Sequence, residues 1–233
     1  RRAIRLPLTI KTRLGPRPDQ VAIFEILAAA ESAGADALAL HGRFTSQGHG
    51  GDVHLPLLAE VKRRARIPII GNGGVCSPHD AWRMLRETGA DALMIARAAI
   101  GNPWIFEDIR QALLAGGEPP RNNPADGRTR RDLAVIRAEL DAHMAAELEL
   151  ISRIRERYGL PRGALDPDET LATTFRCHLF RYLHGLKGSS FVRGRLHELH
   201  TLADIRAAAE SCLVREAAYR AGAPQPGPAT PGG

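Results

Sequence analysis

A repeated local pattern in the first hundred residues is the feature that most limits what this chain can fold into. A short apolar run ends in polar or glycine residues, and an amphipathic segment with helical period follows it. Four such runs occur, at 6–13, 37–43, 67–74 and 92–97, and helical segments at 19–33, 55–64 and 78–87 separate them. Because consecutive parallel strands require a crossover helix, this alternation predicts a parallel sheet.

The positions of glycine discriminate between two parallel-sheet architectures. A doubly wound sheet would carry a G-x-G-x-x-G fingerprint after its first strand, and the sequence has none there. Glycine and arginine instead follow the third and fourth runs, where (β/α)8 barrels build phosphate sites. We therefore predict an α/β fold in which four β–α units form the second half of a (β/α)8 TIM barrel. Ser77 before Pro78 predicts the start of the third helix.

Beyond the fourth unit the pattern of the sequence changes. The segment 116–127 is rich in Gly, Pro and Asn, which predicts a linker. From 128 to 221 the apolar residues recur at helical spacing and predict an all-α helical domain. One apolar stripe in it comprises Leu171, Phe175, Leu179, Leu183 and Leu186. The residues 222–233 are almost wholly Gly, Pro, Ala and Thr, and we expect a disordered tail. The predicted half barrel and helical domain are thus 1–115 and 128–221.

Composition excludes several classes of protein. The three cysteines show neither CxxC spacing nor a paired histidine motif, so no disulfide framework and no metal site is predicted. No apolar run approaches the roughly 18 residues of a membrane helix, and we expect a cytoplasmic protein without a membrane-spanning segment. The net charge is +6, and all but three of the 32 Lys and Arg residues are arginine, which is well suited to phosphate contacts.

Cationic and polar side chains gather at the predicted strand ends, which is where barrels place their reactive groups. These residues are Lys11 and Arg13, His41 and Arg43, Asn72, Gly73 and Gly74, and Ala96 and Arg97. Together they predict a site for an anion and a polar ring. Lys11 lies within an otherwise apolar strand, where an unpaired ammonium is costly, so we expect it to have a partner. Glycine at 73 and 74 would let phosphate oxygens approach backbone N–H groups.

Two stretches of this sequence resemble bacterial tRNA-dihydrouridine synthases. The first is the run GNGG at 71–74, and the second is the run GNPWIF at 101–106. Upstream, TIKTR at 9–13 and LHGR at 40–43 fall in that family's order and spacing. The likeness covers 6–106 and continues more faintly through 175–199, where the family has a helical tRNA-binding module.

The resemblance implies an oxidoreductase that uses FMN, with NADPH as reductant, to reduce the 5,6 double bond of uridine in tRNA. It implies that Lys11 and His41 contact the isoalloxazine ring and that Arg43 helps to orient the uridine. The FMN phosphate would be held by Asn72, Gly73, Gly74, Ala96 and Arg97. The chain has Gly74 and Ala96 where the family usually has Asp and Gly.

The resemblance also assigns tRNA binding to the helical domain, because a base extruded from tRNA requires a basic surface nearby. The candidate residues for that surface are Arg176, Arg181, Lys187, Arg193 and Arg195. The family's catalytic cysteine lies in the earlier barrel half, so no catalytic residue is expected in this chain. We expect Cys76, Cys177 and Cys212 to be core or incidental thiols. The chain begins without Met, and we expect a fragment, inactive alone, of a protein that is monomeric when intact.

Two alternatives to a flavin enzyme of tRNA follow from the same residues. A phosphate-binding barrel isomerase or aldolase would also show glycine beside an anion site. It would not predict the run at 101–106 or a helical appendage. The other alternative is a non-catalytic, tRNA-binding remnant of a synthase.

Overall fold

A computed structural model of the chain describes residues 5–48, 50–121, 131–159, 161 and 166–222. The chain divides into two compact units, which comprise 1–99 with 104–125 and 100–103 with 126–233. The predicted domain limits, 1–115 and 128–221, stay a prediction. Half of the predicted linker at 116–127 and nearly all of the predicted tail at 222–233 lie outside the described residues.

The first unit contains a parallel sheet of four strands in sequence order. Its strands are β1 (Thr9–Arg13), β2 (Ala37–His41), β3 (Ile69–Asn72) and β4 (Ala92–Met94). Its α-helices are α1 (Ile23–Ser32), α2 (Leu55–Arg64), α3 (Pro78–Thr88) and α4 (Ile105–Ala115). The predicted α/β class with a parallel sheet is confirmed. That the sheet is the second half of a barrel stays a prediction.

Alternation of side chains along each strand separates the two faces of the sheet. Leu38, Leu40 and Ile69 point to one face, where they are fully buried in a core with Leu14 and Ile23. Residues at the alternate positions belong to the other face, which carries the polar row described below. Apolar side chains on one face therefore anchor the sheet against its helices and fix its register.

Helix α3 begins and ends where local sequence signals place it. The Ser77 side chain caps the helix by accepting a hydrogen bond from the Asp80 backbone N–H, so the predicted helix start is confirmed. At the other end Gly89 adopts the left-handed conformation that closes a helix. These two caps fix α3 directly after the glycine-rich turn that follows β3.

Every regular element described in the second unit is helical. The helices are α5 (Leu133–Tyr158), α6 (Pro167–Leu183), α7 (Ser189–Gly194) and α8 (Leu202–Arg220), and a 3-10 turn spans Leu196–Glu198. The predicted stripe is confirmed, because Leu171, Phe175, Leu179 and Leu183 on α6 are all completely buried and Leu186, just beyond the helix, is buried as well. Helix α6 packs against both α5 and α8 and so forms the centre of this unit. Its status as a separate all-α domain stays a prediction.

Among the described residues, no helix combines the length and apolar character required to cross a bilayer.

Candidate functional site

One row of side chains marks the carboxyl ends of the four strands. The strand register pairs Arg13 with His41, His41 with Asn72, and Asn72 with Met94. Residues paired across neighbouring strands share a face, so all four belong to the face opposite the helix-packed core. Lys11 belongs to the same face, two residues before Arg13. The structure therefore places Lys11, His41 and Asn72 on one face of three neighbouring strands. Their role as a binding site stays a prediction.

The sequence predicts that Lys11 has a partner, and in the structure that partner is Asn72. The Lys11 Nζ donates to Asn72 Oδ1 at 3.0 Å, and Asn72 Nδ2 donates to the Met94 backbone oxygen at 2.7 Å. A lysine only donates and a carbonyl oxygen only accepts, so these partners fix the orientation of the amide. Partial burial, and secondarily the charge of Arg13, lower the pKa of Lys11 from its ordinary value. Asn72 thus connects an ammonium on β1 to the end of β4.

His41 is buried against the turn that follows β3. Gly73 has φ +109°, and a Cβ at that position would lie 2.6 Å from Cδ2 of His41, so only glycine fits beside the ring. The Nη1 of Arg43 lies 3.4 Å from Nε2 of His41. Because an arginine N–H can only donate, this contact favours the tautomer with its proton on Nδ1. His41 is therefore held between a glycine turn and a guanidinium.

Two arginines at the strand ends bind the loop that follows β2. Arg43 donates from Nε and Nη2 to the backbone oxygen of Gly51, at 3.0 and 2.9 Å. Arg13 donates from Nη1 to the backbone oxygens of Phe44 and Gly48, at 3.0 and 2.8 Å. The guanidinium of Arg43, a residue only 7% exposed, thus has a structural contact in addition to any role toward a substrate.

Unused hydrogen-bond donors remain at the ends of β3 and β4. The backbone N–H groups of Gly73, Gly74, Arg97 and Ala98 donate to no other residue within the described part of the chain. Arg97 is exposed, and within those same ranges its guanidinium has no ion-pair or hydrogen-bond partner. Ala96 is also exposed, and it directly precedes a 3-10 turn that spans Arg97–Ala99. A cation and backbone N–H groups without a partner among the described residues are the donors that proteins use to bind anions, so the predicted phosphate site at these strand ends stays a prediction.

The electrostatic environment of Cys76 shows which charges surround the glycine turn. Burial and the carboxylate of Asp80 raise the pKa of Cys76, whereas the positive charges of Arg97 and Arg43 lower it. Asp80 is held in place by accepting from the Cys76 N–H at 3.0 Å and from Ser77 Oγ at 2.8 Å. Arg97 and Arg43 therefore act on the same turn, although they belong to different strand ends.

A cavity of about 390 Å³ opens beside this turn. It is lined by Arg43, Asp52, Val53, Leu55, Gly73, Gly74, Asp80, Arg83 and Met84. Sequence reasoning missed Asp80 and Arg83, because it considered strand ends and both residues lie on α3. The cue for Asp80 was its position in the first turn of a capped helix, whereas Arg83 gave no local signal.

The basic residues predicted in the second unit fall into two groups. Arg176 is half-buried and donates from Nε and Nη2 to the backbone oxygen of Leu199, at 2.9 and 2.5 Å, so it holds the chain before α8. Lys187, Arg193 and Arg195 each lie over an aromatic ring at the surface. Arg181 is exposed on α6. The structure thus assigns Arg176 a structural contact and leaves the others accessible.

None of the three cysteines belongs to the row at the strand ends. Cys76 follows the glycine turn, Cys177 is exposed on α6, and Cys212 is buried in α8. Burial, assisted by Glu216, raises the pKa of Cys212 to about 12, so its thiol is protonated at neutral pH. No cluster of potential metal ligands occurs among the described residues.

Comparison with known proteins assigns this arrangement to a family. Residues 1–218 match the family model described as dihydrouridine synthase. The chain belongs to the dihydrouridine synthase family. The predicted resemblance is thereby confirmed, and the row containing Lys11, His41 and Asn72 is part of a dihydrouridine synthase fold.

Several curated relatives carry the name tRNA-dihydrouridine synthase B. The protein of Xanthomonas axonopodis pv. citri is 36% identical over 161 residues, which are 69% of this chain and 44% of the relative. The protein of Salmonella typhimurium is 43% identical over 114 residues, 49% of this chain and 36% of the relative. That of Serratia marcescens is 44% identical over 114 residues, 49% of this chain and 34% of the relative. The aligned region therefore spans less than half the length of these relatives.

Proposed function

We propose that this dihydrouridine synthase chain binds FMN and tRNA as part of an enzyme that reduces the 5,6 double bond of uridine in tRNA with NADPH. The observation that carries the proposal is the Arg97 guanidinium after β4 and the backbone N–H groups of Gly73 and Gly74 after the neighbouring strand β3, all without a partner among the described residues. Such a set of donors suits a phosphate group. The names of the relatives supply the tRNA and the reaction.

The residues present fit FMN at both ends of the site. Gly73 and Gly74 have φ of +109° and +72°, a succession of positive φ that turns the backbone sharply after β3. That turn, with Ala96 and Arg97, would hold the phosphate. Lys11 and His41, on the other side of Asn72, would contact the isoalloxazine ring. Asn72 acts here by positioning Lys11 and the end of β4, since its amide already bonds to both.

When bound and reduced by NADPH, FMN would supply the hydride that is added to the uridine. This chain's own residues provide binding and charge. The Lys11 ammonium is held at its Nζ by one bond to Asn72, which leaves two N–H donors for an electron-rich ring edge. The tautomer that Arg43 favours places the His41 proton on Nδ1. Arg43 lines the neighbouring cavity and would orient the substrate's base or phosphate.

The acid that completes uridine reduction is proposed to come from outside this chain. The buried Cys212 thiol, with its pKa raised to about 12, belongs to the second unit's core, and the pKa of Cys76 is also raised. Neither thiol belongs to the row with Lys11 and His41. We therefore expect the 233-residue chain to show no uridine reduction by itself. This placement of the cysteines also favours the alternative that this polypeptide alone binds tRNA without catalysis.

The phosphate assignment is tested by Arg97→Ala in the intact protein that carries this chain. A charge-assisted phosphate contact contributes about 1.5–3 kcal/mol, so FMN affinity should fall about 10- to 100-fold. Titration of FMN into the apoprotein, followed by flavin fluorescence, measures the affinity directly. Arg86→Ala, at an exposed position on α3, is the matched control and should leave FMN affinity unchanged. Equal FMN affinity in Arg97→Ala and wild type would refute the assignment.

A further inference from the structure

A surface groove in the second unit combines aromatic rings with cationic side chains. Its floor is one face of α8, because Ala208, Ser211, Arg215 and Tyr219 recur at intervals of three and four residues. Beside Ala208 and Ser211 lies a cavity of about 290 Å³, whose opposite wall includes Phe191 and Arg195. We call this surface the α8 groove.

Phe191 is an exposed ring that two arginines flank. It is 44% exposed on the short helix α7. The guanidinium carbon of Arg195 lies 5.3 Å from the ring centroid, and that of Arg215 lies 5.4 Å from it. Both distances fall within the range of cation–π contact. The exposed part of the ring and the planar guanidinium groups next to it together form a platform on which a flat ligand could stack.

A second cation–aromatic pair lies one helical turn further along α8. Lys187 Nζ is 4.3 Å from the ring centroid of Tyr219, which is 52% exposed. The Lys187 N–H donates to Glu216 Oε2 at 2.7 Å, which holds this lysine against α8. The adjoining Gly188 has φ +88°, and a Cβ there would lie 2.9 Å from Cδ of Arg215. Glycine therefore permits Arg215 to pass between the two pairs.

The acidic residues of the α8 groove already have partners in the chain. Glu198 is 2.7 Å from Arg195. Asp204 accepts from the backbone N–H groups of His200 and Thr201. Within the described ranges, Arg215 and Lys187 have no ion-pair partner. The charges that remain available to a ligand are therefore positive.

We propose that the α8 groove binds an unpaired segment of RNA, with bases stacked on Phe191 and Tyr219 and phosphates contacted by Arg215 and Lys187. This inference rests on the proposed function, since it names the part of tRNA that the second unit receives. Exposed aromatic rings interleaved with cations are how proteins bind single-stranded nucleic acid. In a duplex the bases are stacked on one another, so these rings would contribute nothing.

The test uses the full 233-residue chain and fluorescence anisotropy. The probes are a labelled oligouridylate of about 12 nucleotides, a fully paired RNA hairpin and an unmodified tRNA transcript. We expect Phe191→Ala to weaken oligouridylate binding about tenfold without changing its salt dependence, and Phe191→Trp to retain the affinity. Arg215→Gln should reduce the slope of log affinity against log salt by about 0.7.

Tyr158→Ala is the matched control, because Tyr158 is 68% exposed on α5 and lies outside the α8 groove. It should leave all affinities unchanged. Thermal unfolding of each variant, followed by circular dichroism, checks that the fold is kept. Retained affinity in Phe191→Trp also separates loss of stacking from loss of structure in Phe191→Ala.

Three results would overturn the inference. If tRNA binds equally to wild type and Phe191→Ala while oligouridylate does not bind, the α8 groove is not the contact, yet the proposed function stands. If no RNA binds at low salt, both the inference and the second unit's role in the proposed function fail. If light scattering shows a wild-type dimer that Phe191→Ala dissociates, the groove receives a second copy of the chain.

Discussion

In the first unit two arginines beside the strand ends donate to backbone carbonyl groups, whereas in the second unit several exposed cations lie over aromatic rings. Arg13 and Arg43 fix the loop after β2, and Arg97 is left without a partner among the described residues. Arg195 and Arg215 instead flank an exposed phenylalanine. The first arrangement suits one small anion in a preorganised site, and the second suits a large ligand with repeated charges and flat groups.

The largest expected effect comes from removing one of the structural arginines. Arg43→Ala should lower the free energy of unfolding by about 2–3 kcal/mol, because hydrogen bonds from a nearly buried guanidinium to a backbone oxygen are lost. Arg193→Ala, which removes an exposed cation of the second unit, should change it by less than about 0.5 kcal/mol. Urea denaturation measures both. Similar losses in the two variants would contradict the distinction between the units.

A smaller change in stability is expected when the pH is lowered, and it should arise in the second unit. Burial, and secondarily the charge of His178, lower the pKa of His143, while Glu147 and Glu139 oppose the shift. The pKa of His143 in the folded state is therefore below its unfolded value of about 6.5. Neutral His143 contributes stability above that pH, and this stability is lost as pH falls through the folded pKa. The unfolding temperature should therefore fall between about pH 7.5 and about pH 5, and it should fall less in His143→Gln.

His200→Gln provides the control for that pH experiment, since His200 is exposed and lies outside the His143 contacts. It should leave the pH dependence unchanged. If His143→Gln and His200→Gln behave alike, protonation of His143 does not determine the acid sensitivity of this unit.

The smallest expected effect concerns the exposed ion pair between Arg195 and Glu198. Surface pairs contribute little, so Glu198→Gln should change the free energy of unfolding by less than about 0.5 kcal/mol. Releasing Arg195 should nevertheless tighten oligouridylate binding by a few fold, since one more cation becomes available to phosphate. Anisotropy titration at low salt checks this, and an unchanged affinity would show that Arg195 contributes nothing to the α8 groove.

The first unit was largely predictable because its signals are local. The strand runs, the Ser77 cap and the crowding of polar residues at strand ends are all written in neighbouring residues. The pairing of Lys11 with Asn72 was not predictable, because it joins residues 61 positions apart through the sheet register. The same holds for Arg13 and Arg43, whose partners are carbonyl groups of a folded loop.

In the second unit the sequence predicted helices and a buried stripe but not the α8 groove. Phe191, Arg215 and Tyr219 were missed, because α7 and α8 are brought together only by tertiary packing. Helix α7 ends at Gly194 and a 3-10 turn follows. That break leaves Arg195 beside Phe191, and a glycine within a helical pattern was its only cue.

The amide of Asn72 has a consequence for how this site could change over evolutionary time. It must offer an acceptor to Lys11 and a donor to the Met94 carbonyl from one short side chain. Asp would place a second acceptor against that carbonyl, and Ser would not span the two partners. Replacement of Lys11 would remove half of this requirement and free position 72 to vary. Substitutions at the two positions should therefore be coupled, with a change at Lys11 preceding a change at position 72.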